Sequence, residues 1–235
     1  MIKIATAECF THGKIGRELH AIAQGYTGNF GRDYIENPES YGNFNYNELS
    51  VTCSLFIPTI EAVKSVLQIE NPPEPTTLIK GIKCYNETED KKVSKIMAEA
   101  VKKITGCDIA IGTTAGIGRG GISVVTNDCT IITTSDVTSD LRENNSEELF
   151  QRQENGIEKC IKIVLFLLND DFEEEPDIED LKEVENLKLD EYDVEEIFNV
   201  SHKERNKFWT KYIFDYCIKE PMRKDASITL NKLHE

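Results

Sequence analysis

The chain has no surplus of positive charge, no long apolar run and no paired cysteines. Its 42 acidic residues outnumber 27 lysines and arginines, giving a net charge of −15. Without a basic face there is nothing to neutralise a phosphate backbone, so a nucleic-acid partner is not expected. The longest apolar run, IVLFLL at 163–168, falls far short of the roughly 20 residues that span a bilayer. No cationic, apolar leader segment precedes the first strand pattern. No membrane association and a cytoplasmic location are expected. The seven cysteines, at 9, 53, 84, 107, 129, 160 and 217, are odd in number and scattered, with no CxxC pair. That argues against a disulfide scaffold, and no His/Cys cluster has zinc-ligand spacing, so no metal is expected.

What is present is unevenly distributed. Residues 170–196 hold fifteen acidic residues against two lysines, so this stretch carries most of the imbalance. Such a run is ordinarily a solvated helical face or linker. It also marks a boundary, dividing the chain into an α/β domain over 1–170 and an acidic helical extension over 171–235.

Before the boundary, strand and helix patterns alternate: IKIATA, a helix over 13–24, LSVTCSLF, a helix begun by Pro58, IKGIKCY, and a helix over 89–104 with Thr88 as N-cap. Val93, Ile96, Met97, Ala100, Val101 and Ile104 recur at helical spacing there. CDIAIGTT and the glycine-rich AGIGRGG follow, then the strands ISVVT and TIITT joined across Asn127-Asp128. A last helix spans 146–168, with Ile157, Cys160, Ile161, Val164, Leu165 and Leu168 facing inward. The expected fold is α/β, a three-layer mixed sheet flanked by helices. In the extension, Ser201 and Glu204 form a capping box opening a helix with the stripe Trp209, Tyr212, Ile213, Tyr216 and Cys217.

Two stretches can carry chemistry. In TAECFTHG, Cys9 sits where a strand gives way to a helix, whose N-terminal N–H groups and partial positive charge favour a thiolate. Cys9 is therefore a candidate nucleophile, or else a small residue at a tight turn. Glu8 either contacts a ligand hydroxyl or caps local amides. Thr11, His12 and Gly13 are candidate ligand contacts in the first helical turn. In GTTAGIGRGG, residues 112–121, Gly116 and Gly118 allow close backbone approach, while Thr113, Thr114 and Arg119 offer donors for a phosphate. No GK[ST] follows, and the next segment is a strand, so neither a Walker loop nor a dinucleotide fingerprint fits.

Taken in order, Ala7-Glu8-Cys9-Phe10-Thr11-His12-Gly13, KIMAEAVKKITGCDIAIGTTAGIGRGG and Phe150-Gln151-Arg152-Gln153 resemble the C-terminal amidase domain of CinA proteins, the nicotinamide mononucleotide deamidases. The likeness covers residues 2–168. It departs where the family's serine nucleophile is replaced by Cys9, its tyrosine by Cys53, and where an insertion displaces Lys64. Those departures favour acyl capture over amide hydrolysis. A closer resemblance, spanning IATAECFTHGKIGRELHAIAQGY, AIGTTAGIGRGG and the acidic tail, is to the HcgF family of methanogens.

The HcgF resemblance implies that Cys9 forms a thioester with the carboxyl group of guanylylpyridinol, the precursor of the iron-only hydrogenase cofactor. Guanylylpyridinol or its adenylylated form is the implied ligand, and the activating enzyme of the same pathway a possible partner. The phosphate is expected at the start of the 12–24 helix and in the 112–121 loop. A homodimer is expected by likeness to the deamidases. Two alternatives stand beside this reading: a deamidase-like hydrolase acting through Cys9 on a nucleotide amide or ester, and a non-catalytic nucleotide-binding scaffold.

Overall fold

The computed structural model of the chain describes residues 1–25, 29, 46–127, 129–143, 145–168 and 227–230. Ten strands, four α-helices and a single 3-10 turn (Tyr46–Glu48) are placed among them. The first strand, β1 (Ile2–Glu8), leads into α1 (Lys14–Gln24), and β2 (Leu49–Phe56) into α2 (Ile60–Ser65). A hairpin of β3 (Thr77–Ile79) and β4 (Ile82–Cys84) precedes α3 (Glu87–Thr105) and β5 (Ile109–Thr114). Then come β6 (Ile117–Gly118), β7 (Gly121–Val125), β8 (Cys129–Thr133), β9 (Ser139–Asp140), α4 (Ser146–Leu168) and β10 (Ser227–Leu230).

The main sheet has the order β10-β8-β7-β5-β1-β2. β1 is central and pairs in parallel with both β2 and β5, while β5, β7, β8 and β10 continue antiparallel. The alternation of β1 explains the layering, since successive side chains leave a strand on opposite faces. Ile4 packs with Ile15, Leu19 and Ile22 of α1 and Ile157, Ile161 and Val164 of α4. Ala5 and Ala7 pack with Val63 of α2 and Val93, Met97 and Val101 of α3. Two cores thus lie on either side of one mixed sheet, which is the expected three-layer arrangement.

Four details differ from the expectation. The second helix begins at Ile60 rather than at Pro58, capped by Thr59, whose hydroxyl accepts the Ala62 N–H at 3.1 Å. IKGIKCY is not one strand, because Lys80 and Gly81 adopt successive left-handed angles, φ 51° and 83°. Such a pair makes a tight hairpin turn and folds the segment back as β3 and β4. The helix expected from 89 begins at Glu87, capped by Asn86, whose side chain accepts the Glu89 N–H at 3.0 Å, so Asn86 takes the role assigned to Thr88. Within that helix Val93, Met97 and Val101 are buried, whereas Ile104 is exposed. In the C-terminal extension, Ser227–Leu230 is a strand rather than helix. The capping box at Ser201 and the stripe from Trp209 to Cys217 lie outside the described residues. No helix among the described residues is long and apolar enough to cross a membrane.

Candidate functional site

The turn between β1 and α1 spans residues 9–13. His12 and Gly13 both hold left-handed angles, φ 55° and 77°, an arrangement that costs a non-glycine residue free energy and persists only where surroundings enforce it. The enforcing group is Glu8. Its Oε1 accepts from the Thr6 hydroxyl at 2.8 Å and the Gly16 N–H at 2.9 Å. Its Oε2 accepts from the Thr11 hydroxyl at 2.7 Å and the Ile15 N–H at 3.1 Å. Burial pushes the Glu8 carboxyl above its ordinary range, and these four donors pull it back.

This geometry corrects the picture of Cys9 at a helix N-terminus. α1 begins five residues later, at Lys14, and its N-terminal amides are aimed at Glu8. The Lys14 and Arg17 N–H groups go to the carbonyls of Thr11 and Gly13. The amides of residues 14–17 are therefore already committed within the chain, and of the two roles expected for Glu8 it fills the capping one.

Cys9 is held instead by β5. Its N–H donates to the Thr113 carbonyl at 2.9 Å and approaches the Thr113 hydroxyl at 3.2 Å. The Thr11 and Thr113 hydroxyls are 2.8 Å apart. Because the Thr11 proton is spent on Glu8, Thr113 donates to Thr11, and a relay runs from the Cys9 amide through Thr113 and Thr11 to Glu8. The Cys9 side chain is buried, only 4% exposed. Burial raises the thiols of Cys53, Cys84 and Cys160 above their ordinary value. His12 packs edge-on against Phe56 at 5.1 Å, and burial lowers its imidazole pKa.

The glycine-rich stretch is only partly a loop. Thr113 and Thr114 are fully buried in β5, and Gly118 is in β6, paired with Ser139 of β9. Gly116 is clasped at both ends of its residue: its N–H donates to Asp90 Oδ2 at 2.8 Å, and Arg152 Nη1 reaches its carbonyl at 3.3 Å. A Cβ here would come within 2.4 Å of the Tyr85 carbonyl oxygen, so no side chain fits. Arg119, the expected phosphate ligand, faces Glu87, to which its N–H, Nε and Nη2 donate at 2.9, 3.2 and 2.8 Å. Burial would raise Glu87, but the Arg119 bonds outweigh it and hold the carboxyl below its usual range.

Residues 1–168 match the family model described as FeGP cofactor biosynthesis protein HcgF. The chain belongs to the HcgF family. A UPF0254 protein of Methanothermobacter thermautotrophicus is 42% identical over 164 residues, covering 70% of this chain and 97% of the relative. One from Methanopyrus kandleri is 43% identical over 162 residues, 68% of this chain and 85% of the relative. One from Methanococcus maripaludis is 40% identical over 172 residues, 73% and 98% of the two chains. HcgF membership places the protein in FeGP cofactor biosynthesis, the cofactor of iron-only hydrogenase.

The whole Cys9 region lies in the HcgF portion, together with residues that the sequence reading did not select. Arg152, on α4 and 1% exposed, also donates from Nη1 to the Gly118 and Ser139 carbonyls at 2.7 and 2.9 Å. Its guanidinium carbon stands 5.9 Å from the Phe10 ring centroid, next in sequence to Cys9. Gln153 Nε2 donates to the Phe10 carbonyl at 2.9 Å, fixing the turn from α4. Burial depresses the Arg152 pKa, opposed by Asp90 and by Cys9, which is close enough to act on it electrostatically. Burial likewise pushes Asp90 up to about 7, against the Gly116 N–H, the Thr114 hydroxyl and the charges of Arg152 and Lys83. The only signal for Arg152 in the sequence was its place in FQRQ, and Asp90 had none.

Around Gly116, four buried polar atoms lack a hydrogen bond of good geometry: Asp90 Oδ1 and Thr114 Oγ1, which are close enough for the hydroxyl to act on the carboxyl, and Ser139 Oγ and Arg152 Nε. Unspent groups of this kind are costly in a folded core and are ordinarily met by water or a ligand. Together they offer donors and acceptors for a polar ligand. Among the described residues no group of three or more His, Cys, Asp and Glu is placed to hold a metal.

Proposed function

We propose that Cys9 captures the activated carboxyl group of guanylylpyridinol as a protein thioester during FeGP cofactor biosynthesis. A carboxylate is a poor electrophile and must first be activated by another enzyme, with the adenylylated form as the incoming acyl donor. The Cys9 sulfur attacks the acyl carbon, the acyl–oxygen bond to the adenylyl phosphate breaks, and adenylate leaves with that electron pair and takes up the thiol proton. The thioester remains reactive enough to hand the acyl group on.

The observation that carries this reading is the burial of Cys9 within electrostatic reach of Arg152, whose Nε has no partner. An acyl–sulfur bond formed at a 4% exposed site is shielded from water, which favours keeping the acyl group over hydrolysing it. Arg152 supplies a cation whose charge complements a phosphate or a developing oxyanion. Thr113, Thr114, Gly116 and Gly118 supply the wall against which the ligand sits.

Intact mass after incubation with guanylylpyridinol, ATP and the activating enzyme is the test. Wild-type protein is expected to gain the ligand mass less one water, on the peptide containing Cys9, and to lose it to hydroxylamine. Cys9→Ala should gain nothing. An adduct that survives Cys9→Ala, or free hydrolysed product without an adduct, overturns the proposal.

A further inference from the structure

The two edges of the main sheet are finished differently. At the β2 edge the register against β1 slips between Ile4 and Ala5, so that Thr52 is the extra residue, its hydroxyl donating to the Ile4 carbonyl at 3.0 Å. Bulges of this kind bend an edge and discourage pairing with another chain. At the other end, β8 pairs with β7 in unbroken register from Ile122↔Thr133 to Val125↔Thr130. Its sequence, CTIIT, contains no charge and no proline. A straight, β-branched, uncharged edge is the kind that recruits a second strand.

In this chain the recruited strand is β10, antiparallel to β8 in the register Ser227↔Ile132, Ile228↔Ile131, Thr229↔Thr130, Leu230↔Cys129. That segment lies beyond the HcgF match, which ends at 168. The relatives from M. thermautotrophicus and M. maripaludis are covered over 97% and 98% of their own length by alignments of 164 and 172 residues. Only a few residues of either lie outside the alignment, too few to supply a counterpart of 227–230. We propose that Ser227–Leu230 is an edge cap supplied in cis, which occupies the outer edge of β8 and keeps a second copy of this chain from pairing there.

The test uses the full chain with Ile228→Pro and Thr229→Pro together. Successive N–H groups along a strand point to opposite sides, so one of the two prolines must remove a donor that faces β8. Amide exchange at 129–133 is expected to accelerate at least tenfold, and light scattering to give a mass at least twice that of wild type at equal concentration. Unchanged exchange overturns the proposal. Faster exchange with unchanged mass overturns it too, because the opened edge would then recruit no second copy. A second variant guards against misfolding: Thr130→Cys with Thr229→Cys places two thiols at opposed positions, within disulfide reach for an antiparallel pair. Under oxidation, a 130–229 link identified by peptide mass in a chain of monomer mass supports the cap in cis. The same link joining two chains, or no link, refutes it.

Discussion

Glu8 and Asp90 are both fully buried carboxylates in the Cys9 region, yet they are furnished in opposite ways. Glu8 receives four hydrogen bonds, two from hydroxyls and two from α1 amides. Asp90 receives the Gly116 N–H on Oδ2, while its Oδ1, with the Thr114 hydroxyl nearby, has no hydrogen bond of good geometry. A saturated buried carboxylate fixes backbone; one with a loosely held oxygen, among other incompletely bonded polar atoms, has capacity left for something else. The contrast separates the part of the site that builds the turn from the part that can meet a ligand.

The largest expected effect breaks the saturated side. Glu8→Ala leaves two buried amides and two hydroxyls without their acceptor, at roughly 1–3 kcal/mol for each group that finds no substitute. A loss of about 3 to 5 kcal/mol in chemical denaturation is expected. Protein that retained wild-type stability would show that α1 and the 9–13 turn do not depend on this carboxylate.

Next in size is the pH dependence set by the other carboxylate. Asp90 is pushed up to about 7 from an ordinary 3.8, so the folded state holds its proton more tightly than the unfolded chain. The sign follows: its contribution to stability is fully present below pH about 4 and is lost as pH rises through 7. At about 1.4 kcal/mol per pH unit over the roughly three units between the two values, the loss is on the order of 4 kcal/mol. Asp90→Asn keeps an oxygen for the Gly116 N–H and should flatten stability across that window, measured by thermal unfolding at a series of pH values. An equally steep profile in the variant would assign the titration elsewhere.

The same contrast explains what could be read from sequence. Periodicity found β1, α1 and α4, and the six inward positions named for α4, from Ile157 to Leu168, are all buried. Those patterns are local, and each element needs only its own residues to show its face. What the sequence did not reveal is convergence. Asp90 and Arg152 come from α3 and α4 and Gly116 from the bend between β5 and β6, and neither spacing nor composition says that the two helices grip one residue between them. Glu8 was ambiguous for a similar reason, since choosing between ligand contact and capping requires the angle at which α1 leaves the turn. Lys80-Gly81 was a local signal that went unused, and SITL at 227–230 was hidden inside an extension dominated by acidic helical patterning.

The smallest effect concerns Arg119, which looked in the sequence like the free cation of a glycine-rich loop. Glu87, 32 residues away, takes its backbone N–H, Nε and Nη2, so the donors expected for a phosphate are already engaged. The pair is partly solvated, with side-chain exposures of 27% and 28%, and ion pairs of this kind contribute about 0.2–1 kcal/mol. Arg119→Ala is accordingly expected to cost less than about 1 kcal/mol of stability. Calorimetric affinity for guanylylpyridinol should change less than threefold, well under the 1.5–3 kcal/mol typical of a direct charge-assisted bond. Arg152, buried and holding an unspent Nε, would keep the role of the phosphate-facing cation. A tenfold or greater loss of affinity in Arg119→Ala would return Arg119 to the ligand site, requiring that the ligand compete with Glu87 for the guanidinium.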